Sequence, residues 1–270
     1  MGLVGYGHLE SSTAQELKCS QGQEMPYHEP MVKRADERRR IAFFGGSFDP
    51  PHLGHIGVAR AAQVGLHLDI VLFAPVGVQP LKPLGSTASF EDRVAMTELA
   101  IKGLPQFAIS LADSPDRGGT PNYTFDTLLR LREQFPGAAL FTLMGADSLV
   151  GLRHWYRGGE VPFLAPLIVA SRPGQRLEDL AAILPDGLTI KEDAPGIDDG
   201  AGVPLRLFTL RNAAGTSAPF YLLPGLAIEI SASDIRNQVN AAADRLCAGH
   251  ELLPDAVCEY IAGHGLYRQV

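Results

Sequence analysis

The stretch GGSFDPPHLGH, Gly45 to His55, follows directly on the apolar run IAFF and packs three glycines, two prolines and two histidines into eleven residues. Glycines where a strand turns into a helix permit positive φ and let a ligand approach the backbone closely. The N–H groups of such a turn suit phosphate oxygens. The segment matches neither GxxxxGK[ST] nor GxGxxG, so it is neither a P-loop nor a dinucleotide fingerprint. In place of the P-loop lysine stand His52 and His55, whose i, i+3 spacing can set both imidazoles over one helix end. An imidazole donates to a phosphate oxygen and gains charge when the phosphate raises its pKa. Two such donors could follow charge as it builds on a pentacoordinate phosphorus. His-x-x-His can also chelate, but no third ligand of the right type stands nearby, so no metal ligands are assigned. The plainest alternative is two surface histidines beside a turn.

A strand–helix alternation must position these rings. IAFF reads as a buried strand from Ile41, followed by a helix over His55–Val64. Further strands are expected at Leu68–Pro75, Phe107–Asp113, Ala138–Gly145 and Pro166–Arg172, each a short apolar run. Ser89 with Asp92 three residues on resembles a capping box before FEDRVAMTELAI. Phe125, Leu128, Leu129 and Arg132 share a helical face that Pro136–Gly137 ends. Near the C-terminus Ser233 is expected to cap one helix, and Pro254 to open another that stops at Gly265. Such alternation implies parallel pairing: an α/β, doubly wound, Rossmann-like sheet with helices on both faces and a C-terminal helical segment.

Residues 1–40 are polar, without useful period, and end in KRADERRR. They are expected to be a disordered extension, with Met31 an alternative start; residues 41–270 then form one domain with a decorated crossover around 173–224. No run approaches the roughly 18 apolar residues of a membrane span, and a net charge of −7 argues against broad nucleic-acid affinity. The N-terminus lacks the order of a secretory signal, so a cytoplasmic protein with small-molecule partners is expected. Three cysteines with no CxxC pair read as reduced thiols.

The first segment resembles the (T/H)xGH signature of the nucleotidyltransferase superfamily, with His52 and His55 in its two histidine places. ISASDIR (Ile230–Arg236) resembles the superfamily's second signature, ISSTxIR. PNYTFDTL (Pro121–Leu128), MGADSLVGLRHWY (Met144–Tyr156) and LLPDAVCEYIAGHGLY (Leu252–Tyr267) are similar to blocks of bacterial nicotinate-nucleotide adenylyltransferases. The resemblance covers Ile41–Arg172 and Leu226–Arg268.

It implies adenylyl transfer from ATP to nicotinate mononucleotide with Mg²⁺, giving deamido-NAD and pyrophosphate in NAD biosynthesis. It further implies that Gly45, Gly46 and Ser47 offer backbone donors, and that His52 and His55 meet the ATP phosphates. Ser231, Ser233 and Arg236 would hold the β- and γ-phosphates, and Asp147 would meet ribose or ATP. Trp155, the sole tryptophan, would stack on the pyridine, with Tyr156 a rival for that place. Tyr123 and Thr124 would meet the nicotinate carboxylate through backbone N–H groups. The family's PPHK-like element reads QPLKP here (Gln79–Pro83): Leu81 replaces the histidine and Lys82 keeps the charge. Two other readings stay open: an adenylyltransferase preferring nicotinamide mononucleotide or another phosphomonoester, and a non-catalytic nucleotide-binding sensor.

Overall fold

The computed structural model describes residues 38–82, 85–171, 180–194, 204–224, 231–241 and 252–268. The expected disordered extension lies outside them, apart from residues 38–40. The first half alternates β1 (Arg40–Gly46), α1 (Leu53–Gly65), β2 (Ile70–Pro75), α2 (Phe90–Ile101), β3 (Phe107–Ile109) and α3 (Thr124–Gln134). Then come β4 (Ala139–Gly145), α4 (Ala146–Gly151), α5 (Val161–Leu164), β5 (Leu167–Ala170) and α6 (Leu180–Ile183). The chain continues with β6 (Thr189–Ala194), β7 (Arg206–Arg211), β8 (Ser217–Leu223), α7 (Ala232–Ala241) and α8 (Asp255–His264).

Successive side chains of a strand leave opposite faces of the sheet, and β1 is apolar on both. Ile41 and Phe43 join Leu72, Leu128 and Leu149 on one side. Ala42 and Phe44 join Ala59, Ala62 and Phe73 on the other. A strand buried twice over needs helices on both faces, which is what parallel crossovers supply. The strand order is β3-β2-β1-β4-β5-β8-β7-β6. Pairing is parallel from β3 through to β8, then antiparallel along β8-β7-β6. The doubly wound, mostly parallel sheet is therefore as expected. A third cluster joins Met96 and Ala100 of α2 to Ile235 and Val239 of α7 and Val257 and Ile261 of α8. It is the C-terminal helical segment, docked on α2.

Several local expectations are corrected. The crossover around 173–224 adds a meander, β6–β8, to the same sheet. Its strands carry Arg206, Arg211 and Lys191 among short apolar runs, which masked their alternation. The helix expected from His55 begins at Leu53, making His52 its N-cap. FAISLAD is a strand only over Phe107–Ile109. Ser231, not Ser233, precedes α7, and its Oγ accepts from Asp234 N at 3.5 Å. Pro254 is the N-cap of α8 instead of lying in its first turn, while Gly265 closes it in the left-handed region at φ 62°. Cys258 is disulfide-bonded, against the reading of free thiols; Cys19 and Cys247 lie outside the described residues.

Candidate active site

Ligands of open α/β sheets bind at the carboxyl ends of the strands where their order reverses. Here that point lies between β1 and β4: the chain runs from β1 out to β2 and β3, then returns to β4 and β5 on the other side. The segments leaving those two strands, Gly45–Ser47 and Gly145–Asp147, line two adjoining cavities of about 540 and 470 Å³.

The 540 Å³ cavity is bordered by His52, His55, Lys82, Asp147, Ser231, Ser233 and Arg236 as well as Gly45, Gly46 and Ser47. Every residue that the sequence assigned to phosphates thus lies along one hollow. The two imidazoles lie close together, with ring centroids 3.7 Å apart and planes inclined by 32°. The carbonyl of His52 accepts from His55 N at 2.9 Å, starting α1. The backbone N–H of His52 donates to His55 Nδ1 at 3.2 Å. Phe48 packs edge-on against the His55 ring at 5.0 Å. Burial first, and the neighbouring His52 second, hold the His55 pKa well below that of an ordinary histidine. His55 is then neutral at pH 7. Because Nδ1 accepts, its single proton belongs on Nε2, the arrangement of a hydrogen-bond donor.

The expected use of the glycines changes. Neither Gly45 nor Gly46 has a positive φ; in this turn that conformation falls on Phe48, at φ 47°. Gly45 is required for room instead, since a Cβ there would lie 2.7 and 2.9 Å from carbons of the Phe43 ring.

Three residues that sequence reasoning passed over hold this loop. Asp49 is buried at 4% exposure and accepts from Thr87 N (2.6 Å), Ala88 N (3.1 Å) and the Tyr267 hydroxyl (2.8 Å). Its backbone oxygen accepts from Arg236 Nη1 at 2.6 Å, and Arg236 Nη2 donates to Ser233 Oγ at 3.1 Å. Arg93, 2% exposed, donates to the carbonyls of Ser47 (2.7 Å) and Val76 (2.8 Å). On the far edge of the Val76–Gly77 peptide, Gly77 N donates to Asp113 O at 2.7 Å, so that peptide is held from both sides. Tyr267 lies 218 residues from Asp49 in sequence, a separation that no local pattern reports. Asp49 lay inside the quoted segment and could have been weighed as a ligand-loop anchor.

The 470 Å³ cavity is lined by Tyr123, Thr124, Trp155 and Tyr156, with Phe43, Asn122, Asp113 and Thr142 deeper or beside them. Thr124 opens α3 and Tyr123 is its N-cap, which puts the positive end of the helix dipole at this cavity. Asn122 ties the site's two loops together: its Oδ1 accepts from Val78 N at 2.8 Å and its Nδ2 donates to Ser114 O at 3.0 Å. Trp155 packs against the core cluster, while Tyr156 is half exposed with its ring 4.8 Å from that of Tyr123. Both cavities share Gly45, Gly46, Ser47, Lys82, Met144, Asp147 and Ser148. On this common wall Ser47 Oγ accepts from Lys82 Nζ at 2.8 Å and from Gln79 Nε2 at 2.6 Å. Desolvation and the nearby Arg236 lower the Lys82 pKa. Leu81, in the family's histidine place, is 56% exposed.

Asp113, 4% exposed, accepts from the Thr127 hydroxyl. Burial raises its pKa from 3.8 to about 6, against the pull of that hydrogen bond. The folded chain thus holds this proton more tightly than the unfolded one. Stability from the neutral carboxyl is complete below 3.8 and is lost as pH rises to about 6. An Asp113→Asn variant should therefore gain thermal stability over the wild type. The gain should open between about pH 4 and 6, stay constant above, and reach several degrees. Calorimetric midpoints against pH check this; a gain independent of pH would contradict the buried-carboxyl account.

Residues 43–238 match the family described as cytidylyltransferase-like, and with the sheet's switch point and paired cavities this sets the class, a nucleotidyltransferase-type α/β protein. A probable nicotinate-nucleotide adenylyltransferase of Gloeobacter violaceus is 38% identical over 229 residues, 84% of this chain and 96% of the relative. One from Thermomicrobium roseum is 38% identical over 231 residues, covering 86% and 92%. The chain belongs to the nicotinate-nucleotide adenylyltransferases of that class. The fold is shared with the nicotinic acid mononucleotide adenylyltransferase of Plasmodium falciparum complexed with NaAD, at TM-score 0.59 and 16% identity over 85% of this chain and 98% of that one.

Proposed function

We infer that this chain transfers the adenylyl group of ATP to nicotinate mononucleotide, releasing pyrophosphate and forming deamido-NAD. The observation that carries this reading is the pair of cavities with one common wall at Gly45–Ser47, Lys82 and Asp147. One cavity offers imidazoles, a guanidinium and hydroxyls to a triphosphate, and the other offers aromatic rings and a helix N-terminus to a pyridine acid. An acceptor phosphate and an ATP α-phosphate would meet at the wall.

In that arrangement a 5′-phosphate oxygen of the mononucleotide bonds to the α-phosphorus in line. The bond to the bridging oxygen breaks, and its electron pair leaves with pyrophosphate. No covalent enzyme intermediate is needed, so the residues position the partners and stabilise charge. His55 donates from Nε2 to the α-phosphate, where negative charge grows. His52, Ser231, Ser233 and Arg236 hold the departing phosphates; Lys82 faces both nucleotides; Gly45, Gly46 and Ser47 supply backbone donors.

Among the described residues no group of three or more His, Cys, Asp or Glu is arranged to hold a metal. Mg²⁺ keeps several waters and takes one or two carboxylates plus substrate phosphates. That fits Asp147, on the common wall, as the carboxylate toward an ion arriving with ATP. Bound there, Mg²⁺ would neutralise charge on the leaving pyrophosphate. A cytoplasmic location belongs to the same reading and is supported by the two nucleotide substrates. Among the described residues no helix is long and apolar enough to cross a membrane.

Pyrophosphate release from ATP with nicotinate or nicotinamide mononucleotide tests the reading. Turnover with the acid and a clear preference for it are expected; ATP binding without pyrophosphate would point to a sensor. Trp155 gives a second test, since a π-face attracts an electron-poor pyridinium. As the only tryptophan, its fluorescence should be quenched by nicotinate mononucleotide alone. Trp155→Ala should raise the KM for the mononucleotide about tenfold and leave that for ATP unchanged. Unaltered fluorescence and KM would transfer the stacking role to Tyr156.

A further inference from the structure

The floor of the mononucleotide cavity holds a polar atom that the fold itself leaves unsatisfied. Thr142, in the middle of β4, is 2% exposed, and its Oγ1 has no hydrogen-bond partner. Its backbone lies within the sheet: Thr142 N donates to Pro166 O at 2.9 Å, and the residue pairs in register with Phe43 on β1 and Leu167 on β5. On the same face of the sheet its neighbours are the apolar Phe43, its register partner on β1, and Met144, two residues on, and both line the cavity with it. A valine would fill the same volume without burying a hydroxyl, and an unmet buried hydroxyl destabilises the fold. In a cavity that takes a polar ligand, the same hydroxyl becomes a recognition element.

We propose that Thr142 is a specificity-determining residue for the acceptor nucleotide, its hydroxyl hydrogen-bonding a polar atom of the mononucleotide at the cavity floor. This rests on the reading of the second cavity as the mononucleotide site. A hydroxyl can donate to a carboxylate or carbonyl oxygen, or accept from an N–H. Its bond to an ionised carboxylate is the stronger of these. Sites built to bond a ligand group reject analogues that lack it, because the protein's own polar atom is then left unpaired.

The test compares Thr142→Val and Thr142→Ser with the wild type. KM values for nicotinate mononucleotide and for ATP come from pyrophosphate release, and the thermal midpoint is taken without nucleotide. Thr142→Val should raise the mononucleotide KM about tenfold, leave the ATP KM within about twofold, and keep or raise the midpoint. Thr142→Ser should restore the KM. An unchanged mononucleotide KM in the valine variant overturns the proposal, as does a parallel rise of both KM values. If the valine variant does not fold, Thr142→Ser against Thr142→Ala repeats the comparison, because that pair differs only in the hydroxyl. Failure of the wild type to use nicotinate mononucleotide at all would instead sink the proposed function.

Discussion

Replacing His55 with alanine should lower kcat about 10²- to 10³-fold while both KM values stay within about threefold. That magnitude is typical of one preorganised donor aimed at developing charge. The split follows from an interaction that strengthens only in the transition state. The ring is held in one orientation. Its Nδ1 takes the His52 N–H at 3.2 Å, and Phe48, edge-on, and His52 pack against it at 5.0 and 3.7 Å between ring centroids. Alanine removes the donor and leaves the loop anchored through Asp49. The depressed pKa of His55 adds a second signature. The free enzyme's histidine is neutral through the physiological range, so kcat/KM should show no titration of this ring near pH 6.5. Steady-state kinetics of the variant, with a pH profile of the wild type, decide both points. A variant that kept its turnover would remove this imidazole from the mechanism. A wild-type profile falling above pH 6.5 would require imidazolium instead.

Arg236→Ala is expected to raise the KM for ATP about 30-fold and to cut kcat by about tenfold, with the KM for the mononucleotide little changed. A guanidinium bond to phosphate is charge-assisted and is formed in the ground state as well as later, so binding bears much of the loss. The side chain is already oriented, with Nη1 on Asp49 O at 2.6 Å and Nη2 on Ser233 Oγ at 3.1 Å. In the proposed function, the remaining N–H groups of the planar fork are the ones that would meet the triphosphate. Arg236→Lys should recover little, because a single ammonium cannot make the anchoring bonds and the phosphate contact together. Isothermal titration with a non-hydrolysable ATP analogue isolates the binding part. Equal affinity of the wild type and the alanine variant would place Arg236 outside the phosphate site.

How much of this was legible depended on distance along the chain. Gly45 to His55 is a local unit: strand, turn and helix start lie within eleven residues, and their geometry follows from neighbouring dihedrals and the helix period. The convergence of Arg236 on that unit was legible only through the second signature. What delivers it is the packing of Ile235 and Val239 against Met96 and Val257. The buried polar set was not legible. Arg93, one charged residue within FEDRVAMTELAI, carries no local mark of burial, yet it is 2% exposed and holds two carbonyls of the site. Asp113 reads as the end of a strand, and only burial beside Thr127 makes it a carboxyl with a pKa of about 6. Asp49 stood in plain view, but its partners Thr87, Ala88 and Tyr267 arrive from two other segments.

By itself the sequence determined the alternation of buried strands and helices, and it singled out the turn and the side chains that the proposed function sets against phosphate. Periodicity and turn chemistry act over a few residues, so they survive without coordinates. Only the tertiary structure decided that β6–β8 extend the sheet antiparallel, and that two cavities share one wall. It also decided which polar groups lose their water. Desolvation and shared walls are properties of side chains brought together from far along the chain, and no one segment carries them.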